Sequence, residues 1–164
     1  MTESIAEVPG LHPVRRFVKA SSDAVWDVLA DGWSYSSWVV GTARVRAVED
    51  SWPAVGSKIH HSFGTWPILL DDHTVVVSAS PGEWLELQAR GWPAGEARVR
   101  LDLRGMSSGC EVTIVEDAVR GPGALVPKAV RQPLIVARNR ESLRRLALIA
   151  EGRTDAEDHG LSPT

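Results

Sequence analysis

His61 and Glu116 are the residues whose type and placement could move a proton. Ile59, His61 and Phe63 alternate along one apolar run, so they share one face of a strand while His60 takes the other. Val112, Ile114 and Glu116 share a face in the same way. An imidazole or carboxylate on an apolar face is costly unless paired, and burial shifts its pKa towards working pH, as a general acid or base requires. The blander alternatives are a hydrogen-bonded core histidine and a carboxylate that reaches solvent at a strand end. Asn139 interrupts the apolar stripe of the last helix, where its amide could orient a ligand or satisfy backbone near Pro133.

Other chemistries are poorly served. His60 and His61 are adjacent and face opposite sides of a strand, His73 lies on another strand, and no His-x-His or His-Glu-x-x-His spacing exists, so no metal site is expected. There is no phosphate loop, dinucleotide fingerprint or Gly-x-Ser-x-Gly elbow, and no cofactor is expected. The single cysteine, Cys110, forbids an internal disulfide and reads as a small buried residue. A net charge of −3 does not suit a nucleic-acid-type polycation, so nucleic acid is not an expected partner. Residues 1–10 lack the apolar core of a signal peptide and no apolar run could span a bilayer, so a cytoplasmic protein without an integral membrane segment is expected. From Lys128 to Arg145, six basic residues face one acid, Glu141. They could meet an anionic surface, an acidic partner or an anionic head group, or form the solvated back of a helix with Glu141–Arg145 as an i, i+4 pair.

These groups need elements to position them. At 164 residues the chain suits one domain, read as 13–152 between a flexible N-terminus (1–12) and a flexible tail (153–164). Residues 14–18 form a short strand. Ser21 or Ser22 caps a helix over 23–30, which Gly32 ends. A second short turn of helix or a loop spans 33–38. The period then becomes alternating, giving strands at 43–48, 57–63, 71–79, 84–90, 97–104 and 110–118, joined by Gly- and Pro-rich turns. Short connections make an antiparallel meander. A helical period returns from Leu125 to about Glu151, kinked or started by Pro133, with Ile135, Asn139, Leu143, Leu146, Ala147 and Ala150 along its dry stripe. A sheet with one dry face must cover it, and only this helix is long enough.

Seven of the ten aromatic residues are Trp. In a meander alternate loops lie at one end, so Trp66 and Trp92 should share a rim with Trp38 and with Gly121-Pro122-Gly123, while Trp52 lies at the other end. Three Trp at one rim suit the mouth of a pocket, or plug the end of the sheet as core.

The opening Ser21-Ser22-Asp23-Ala24-Val25-Trp26-Asp27-Val28-Leu29-Ala30-Asp31, then Trp38, Trp52-Pro53-Ala54-Val55-Gly56, Gly91-Trp92-Pro93-Ala94-Gly95-Glu96 and Arg138 to Leu146 resemble the START-like helix-grip superfamily (SRPBCC; polyketide cyclase/dehydrase-like) over about Val14 to Gly152. The resemblance implies an α+β fold: a curved antiparallel seven-strand sheet wrapped around a long C-terminal helix, with a cavity between them. It implies a hydrophobic small-molecule ligand in a monomer or homodimer. Placed on that fold, the ligand-contacting candidates are Trp38, His61, Phe63, Trp66, Trp92, Glu116, Asn139 and Leu143, and the catalytic candidates His61 and Glu116. Three functions stay open: binding a hydrophobic or amphipathic molecule, polyketide cyclase/dehydratase-type catalysis, or a ligand-free protein-interaction module.

Overall fold

A computed structural model describes residues 8–65, 68–91 and 95–160. The order is β1 (Val14–Val18), α1 (Ser22–Ala30), a 3-10 turn (Gly32–Ser34), α2 (Tyr35–Trp38), β2 (Thr42–Val48), β3 (Lys58–Thr65), β4 (Ile68–Ser80), β5 (Trp84–Gly91), β6 (Gly95–Met106), β7 (Gly109–Arg120), α3 (Pro122–Leu125) and α4 (Lys128–Asp158). The seven strands form one antiparallel sheet in the order β1-β7-β6-β5-β4-β3-β2. Alternation alone places the strands but not their ends: β4, β6 and β7 each run two or more residues past the clear apolar–polar pattern. Register shifts in β2, between Val76 and Ser78, and between Glu96 and Ala97 each insert a kink. Such bulges raise local twist, and they curl the sheet into a trough.

The trough holds the core. Leu85, Leu87, Leu101 and Ile114 rise from the strands to meet Val25, Val28 and Leu29 of α1 and Leu143, Leu146, Ala147 and Ala150 of α4. Ser21 caps α1, its Oγ accepting from the Ala24 N–H at 3.1 Å. Gly32 does not act as the left-handed cap expected of it. Asp31 ends α1, and Gly32 starts the next turn, buried against β2. A Cβ there would lie 2.6 Å from Val48 Cγ1, so close approach is what demands glycine. Trp52 closes this end of the core and donates from Nε1 to the Leu29 carbonyl at 3.1 Å. Trp84 lies on the outer face, beside Ser78 and under the Arg100 guanidinium.

Both ends of the domain differ from expectation. The stretch from 153, read as a flexible tail, is helical as far as Asp158. Arg153 pairs at 2.6 Å with Asp31, the C-cap of α1, and within α4 Thr154 Oγ1 donates to the Ala150 carbonyl at 3.0 Å. Of the N-terminal residues read as loose, Pro9 accepts from Lys128 Nζ at 2.9 Å and the His12 N–H donates to Gln132 Oε1 at 3.4 Å. Pro133 does not start the last helix; it sits within α4, five residues beyond Lys128. Among the described residues no helix is long and apolar enough to cross a membrane.

Two glycine substitutions should act with opposite sign. Gly32→Ala forces Val48 to shift and should lower stability by about 1–3 kcal/mol. Gly152→Ala, inside α4 with open space around it, should raise it by about 0.4–1 kcal/mol. Urea unfolding followed by Trp fluorescence checks both.

Candidate functional site

Between the trough and α4 lies a cavity of about 460 Å³. Its walls are mainly apolar, with Leu87, Ala97, Val99 and Ile114 from the sheet and Val130 and Ile135 from α4. Strand parity delivers His61 and Glu116 into it. The register pairs His61 with Asp72 and Glu116 with Val99, so each stands on the face that also carries Ile59 or Ile114. Trp38, His61, Phe63, Glu116 and Asn139 all line the cavity. Leu143 does not. It is turned into the core, away from the stripe that faces the cavity, because Ile135, Asn139 and Ser142 define that stripe and Leu143 lies one residue around the helix. Trp66 and Trp92 lie outside the described residues.

Two polar groups of the cavity were not expected. Tyr35 and Arg138 join the wall, and Thr74, fully buried behind it, links Tyr35 to His61. Thr74 Oγ1 lies 3.1 Å from Tyr35 Oη and 2.9 Å from His61 Nε2. The imidazole stacks on the Tyr35 ring at 5.5 Å and 25°, and Trp38 meets the other side of Tyr35 edge-on. Thr74 has one proton to give. If it goes to His61, Tyr35 donates to Thr74 in turn. If His61 donates to Thr74 and Thr74 to Tyr35, the phenol proton is free for the cavity. His61 Nδ1 is buried with no partner.

Glu116, 5% exposed, forms a close ion pair with Arg138 of α4. The next residue, Asp117, is also buried and takes a two-pronged bond from Arg131 at 2.7 and 2.8 Å. Gln132 adds a bond from Nε2 to the Glu116 carbonyl at 3.1 Å. Two of the six basic residues that the sequence places on one helix thus turn back to the sheet, whereas Arg144 and Arg145 pair locally with Glu141.

Burial sets the protonation of this wall. It lowers His61 to about 4, with Asp72 only partly opposing, so the imidazole is neutral at pH 7. It pushes Tyr35 up to about 12, keeping the phenol protonated. Glu116 in turn raises Arg138 and holds it charged. Asn139 is 3% exposed, and its side-chain amide has no hydrogen-bond partner among the described residues. The cavity therefore offers a phenol, an amide and charges that are each paired, Glu116 with Arg138, Glu96 with Arg90 and Arg131 with Asp117. A second hollow of about 740 Å³ lies between β1 and the far side of α4. It contains none of this network.

Sequence signals for the missed groups are thin. Tyr35 is the only tyrosine of the chain, but it sits in a single helical turn whose orientation no periodicity reveals. Thr74 reaches His61 only through the β3–β4 register, and that depends on a turn. Arg138 was visible as a charge but not as a partner.

No protein-family model matches the chain, and no curated protein matches its sequence. Solved structures do. Protein NE0264 from Nitrosomonas europaea is 12% identical over 90% of this chain and 99% of its own, with a TM-score of 0.70. Protein CV1439 from Chromobacterium violaceum is 18% identical over 87% of this chain and 99% of its own, at 0.65. The di-domain ARO/CYC StfQ from the steffimycin biosynthetic pathway is 14% identical over 88% of this chain, which spans 51% of StfQ, at 0.68. The likeness at such identities is one of fold. The seven-stranded antiparallel trough and the long C-terminal helix give this chain the helix-grip fold that these structures share.

Proposed function

We propose that the protein binds an uncharged, largely apolar small molecule carrying one or two hydroxyl or carbonyl groups in the cavity between sheet and α4. The observation that carries this reading is the combination of an apolar wall with an Asn139 amide that has no hydrogen-bond partner among the described residues and a Tyr35 phenol in the same wall. A cavity of 460 Å³ falls within the roughly 300–1,000 Å³ of small-molecule sites. Apolar burial supplies affinity at about 25 cal/mol per Å². The Asn139 amide, which faces the cavity, is free to pair with a ligand carbonyl or hydroxyl, with no partner of its own among the described residues. A charged ligand gains nothing comparable, because Glu116 and Arg138 already neutralise one another and His61 is neutral.

Native mass spectrometry of freshly purified protein, followed by Trp fluorescence titration with lipids, quinones and aromatic polyketides, tests this. Trp38 stands in the wall and should report occupancy. Ala97→Phe, which fills the cavity, should abolish binding. Asn139→Leu should weaken binding about tenfold by removing the amide that pairs with the ligand. Retained affinity in both variants would sink the proposal.

The neutral His61 has its own signature. An unfolded imidazole takes a proton near pH 6.5, whereas the buried one does not until about 4. Below pH 6.5 the unfolded state therefore binds more protons, and stability falls as pH drops towards 4. At ~1.4 kcal/mol per pKa unit the loss is up to about 3 kcal/mol. His61→Gln, which keeps an amide near Thr74, should flatten this slope in urea titrations between pH 7.5 and 4.5. An unchanged slope would mean that His61 is protonated in the fold.

A second reading, cyclase/dehydratase-type chemistry with His61 and Glu116 as acid or base, is favoured by one observation, the Tyr35–Thr74–His61 relay that ends at the cavity. In that role Tyr35 polarises a substrate carbonyl while Thr74 and His61 align it. A linear poly-β-ketone thioester, followed by the absorbance of an aromatic product, is the assay. Tyr35→Phe, His61→Gln and Glu116→Gln should each slow it about 10²-fold. Equal rates in wild type and all three variants remove the reading.

A further inference from the structure

α4 presents two stripes. Ile135, Arg138, Asn139 and Ser142 face the cavity, while Pro133, Val136, Arg140 and Leu143, spaced three, four and three residues apart, face an open groove along β1. The groove, about 740 Å³, is bridged near both ends of the strand. The His12 N–H donates to Gln132 at one end, and the Lys19 N–H donates to Glu151 Oε1 at 2.9 Å at the other.

Arg16 is the residue that a purely structural groove does not explain. Val14, Arg16 and Val18 share one face of β1, and both valines are buried in the core. Arg16 therefore emerges on the dry phase of an edge strand. Arg140 lines the same groove from α4, and neither guanidinium has an ion-pair partner among the described residues. Arg15 borders the groove as well, so three guanidinium groups from two elements line one hollow, and guanidinium groups bind planar oxyanions through paired N–H donors. The floor around them is apolar, with Val14 and Leu143 below and Val136 and Pro133 at the side.

We propose that this groove is a second binding site, selective for an amphipathic anion. A carboxylate or phosphate is clamped between Arg16 and Arg140, and a short apolar body lies on Val136 and Pro133. The site shares no polar group with the cavity, so it stands or falls independently of the ligand proposed there.

The test maps backbone amide shifts in the full chain on titration with hexyl phosphate, hexanoate, hexanol and inorganic phosphate. The two amphipathic anions should shift residues 14–16 and 136–143, and the tighter of the two identifies the head group. Hexanol should leave these residues unmoved, and inorganic phosphate should bind more weakly. The double substitution Arg16→Gln, Arg140→Gln should weaken the response at least about tenfold while the rest of the spectrum stays in place. Shifts confined to cavity residues such as Leu87 and Ala97, an equal response to hexanol, or binding undiminished in the double variant would each overturn the proposal.

Discussion

Two consecutive buried carboxylates at the end of β7 hold the molecule open. Glu116 grips Arg138, and Asp117 grips Arg131, seven residues earlier on the same helix. A buried carboxylate tolerates no loss of its partner, so these pairs pin the first half of α4 at a fixed stand-off from the sheet. The second half is held differently, by Leu143, Leu146, Ala147 and Ala150 packed against α1 and the strands. One end of the helix stands on salt bridges and the other lies in apolar contact. The cavity occupies the difference between the two.

The same pairing sets the electrostatics inside. A carboxylate and a guanidinium reach the cavity together and cancel, while burial keeps the nearby imidazole and phenol uncharged. What remains is directional polarity without net charge, which favours hydrogen bonding over ion capture. The opposite face of α4 reverses this balance, since Arg140 there has no acid among the described residues. A single helix thus separates a neutral compartment from a cationic one.

Much of this frame was legible in the primary structure. Period-two alternation in Ala97 to Arg104 locates β6, and Ser21 with Asp23 locates α1, because both signals are local. The inward phase of His61, Glu116 and Asn139 followed from the same periodicity, and all three do line the cavity. What escaped is non-local. Leu143 fell on the apolar stripe, but a helix wedged between cavity and core buries one stripe against two different surroundings. Gly32 reads from sequence as the stop of the first helix, because composition cannot show that Val48 and Trp52 crowd it. The partnership of Arg138 with Glu116 and of Thr74 with His61 joins elements whose relative depth no spacing encodes. The rim expected from Trp66 and Trp92 falls outside the described residues, and Trp38 alone joins the wall.

An open sheet has two edges, and each could recruit a strand from another copy. On β1 the bridging contacts from Gln132 and Glu151 lay the long helix along the exposed backbone. On β2 two register shifts break the hydrogen-bonding rhythm, and Arg44 and Arg46 project beside them. One border is bridged by the helix at either end of its strand, and the other is made irregular and charged. A sheet with two open edges thereby avoids becoming a template for fibrils.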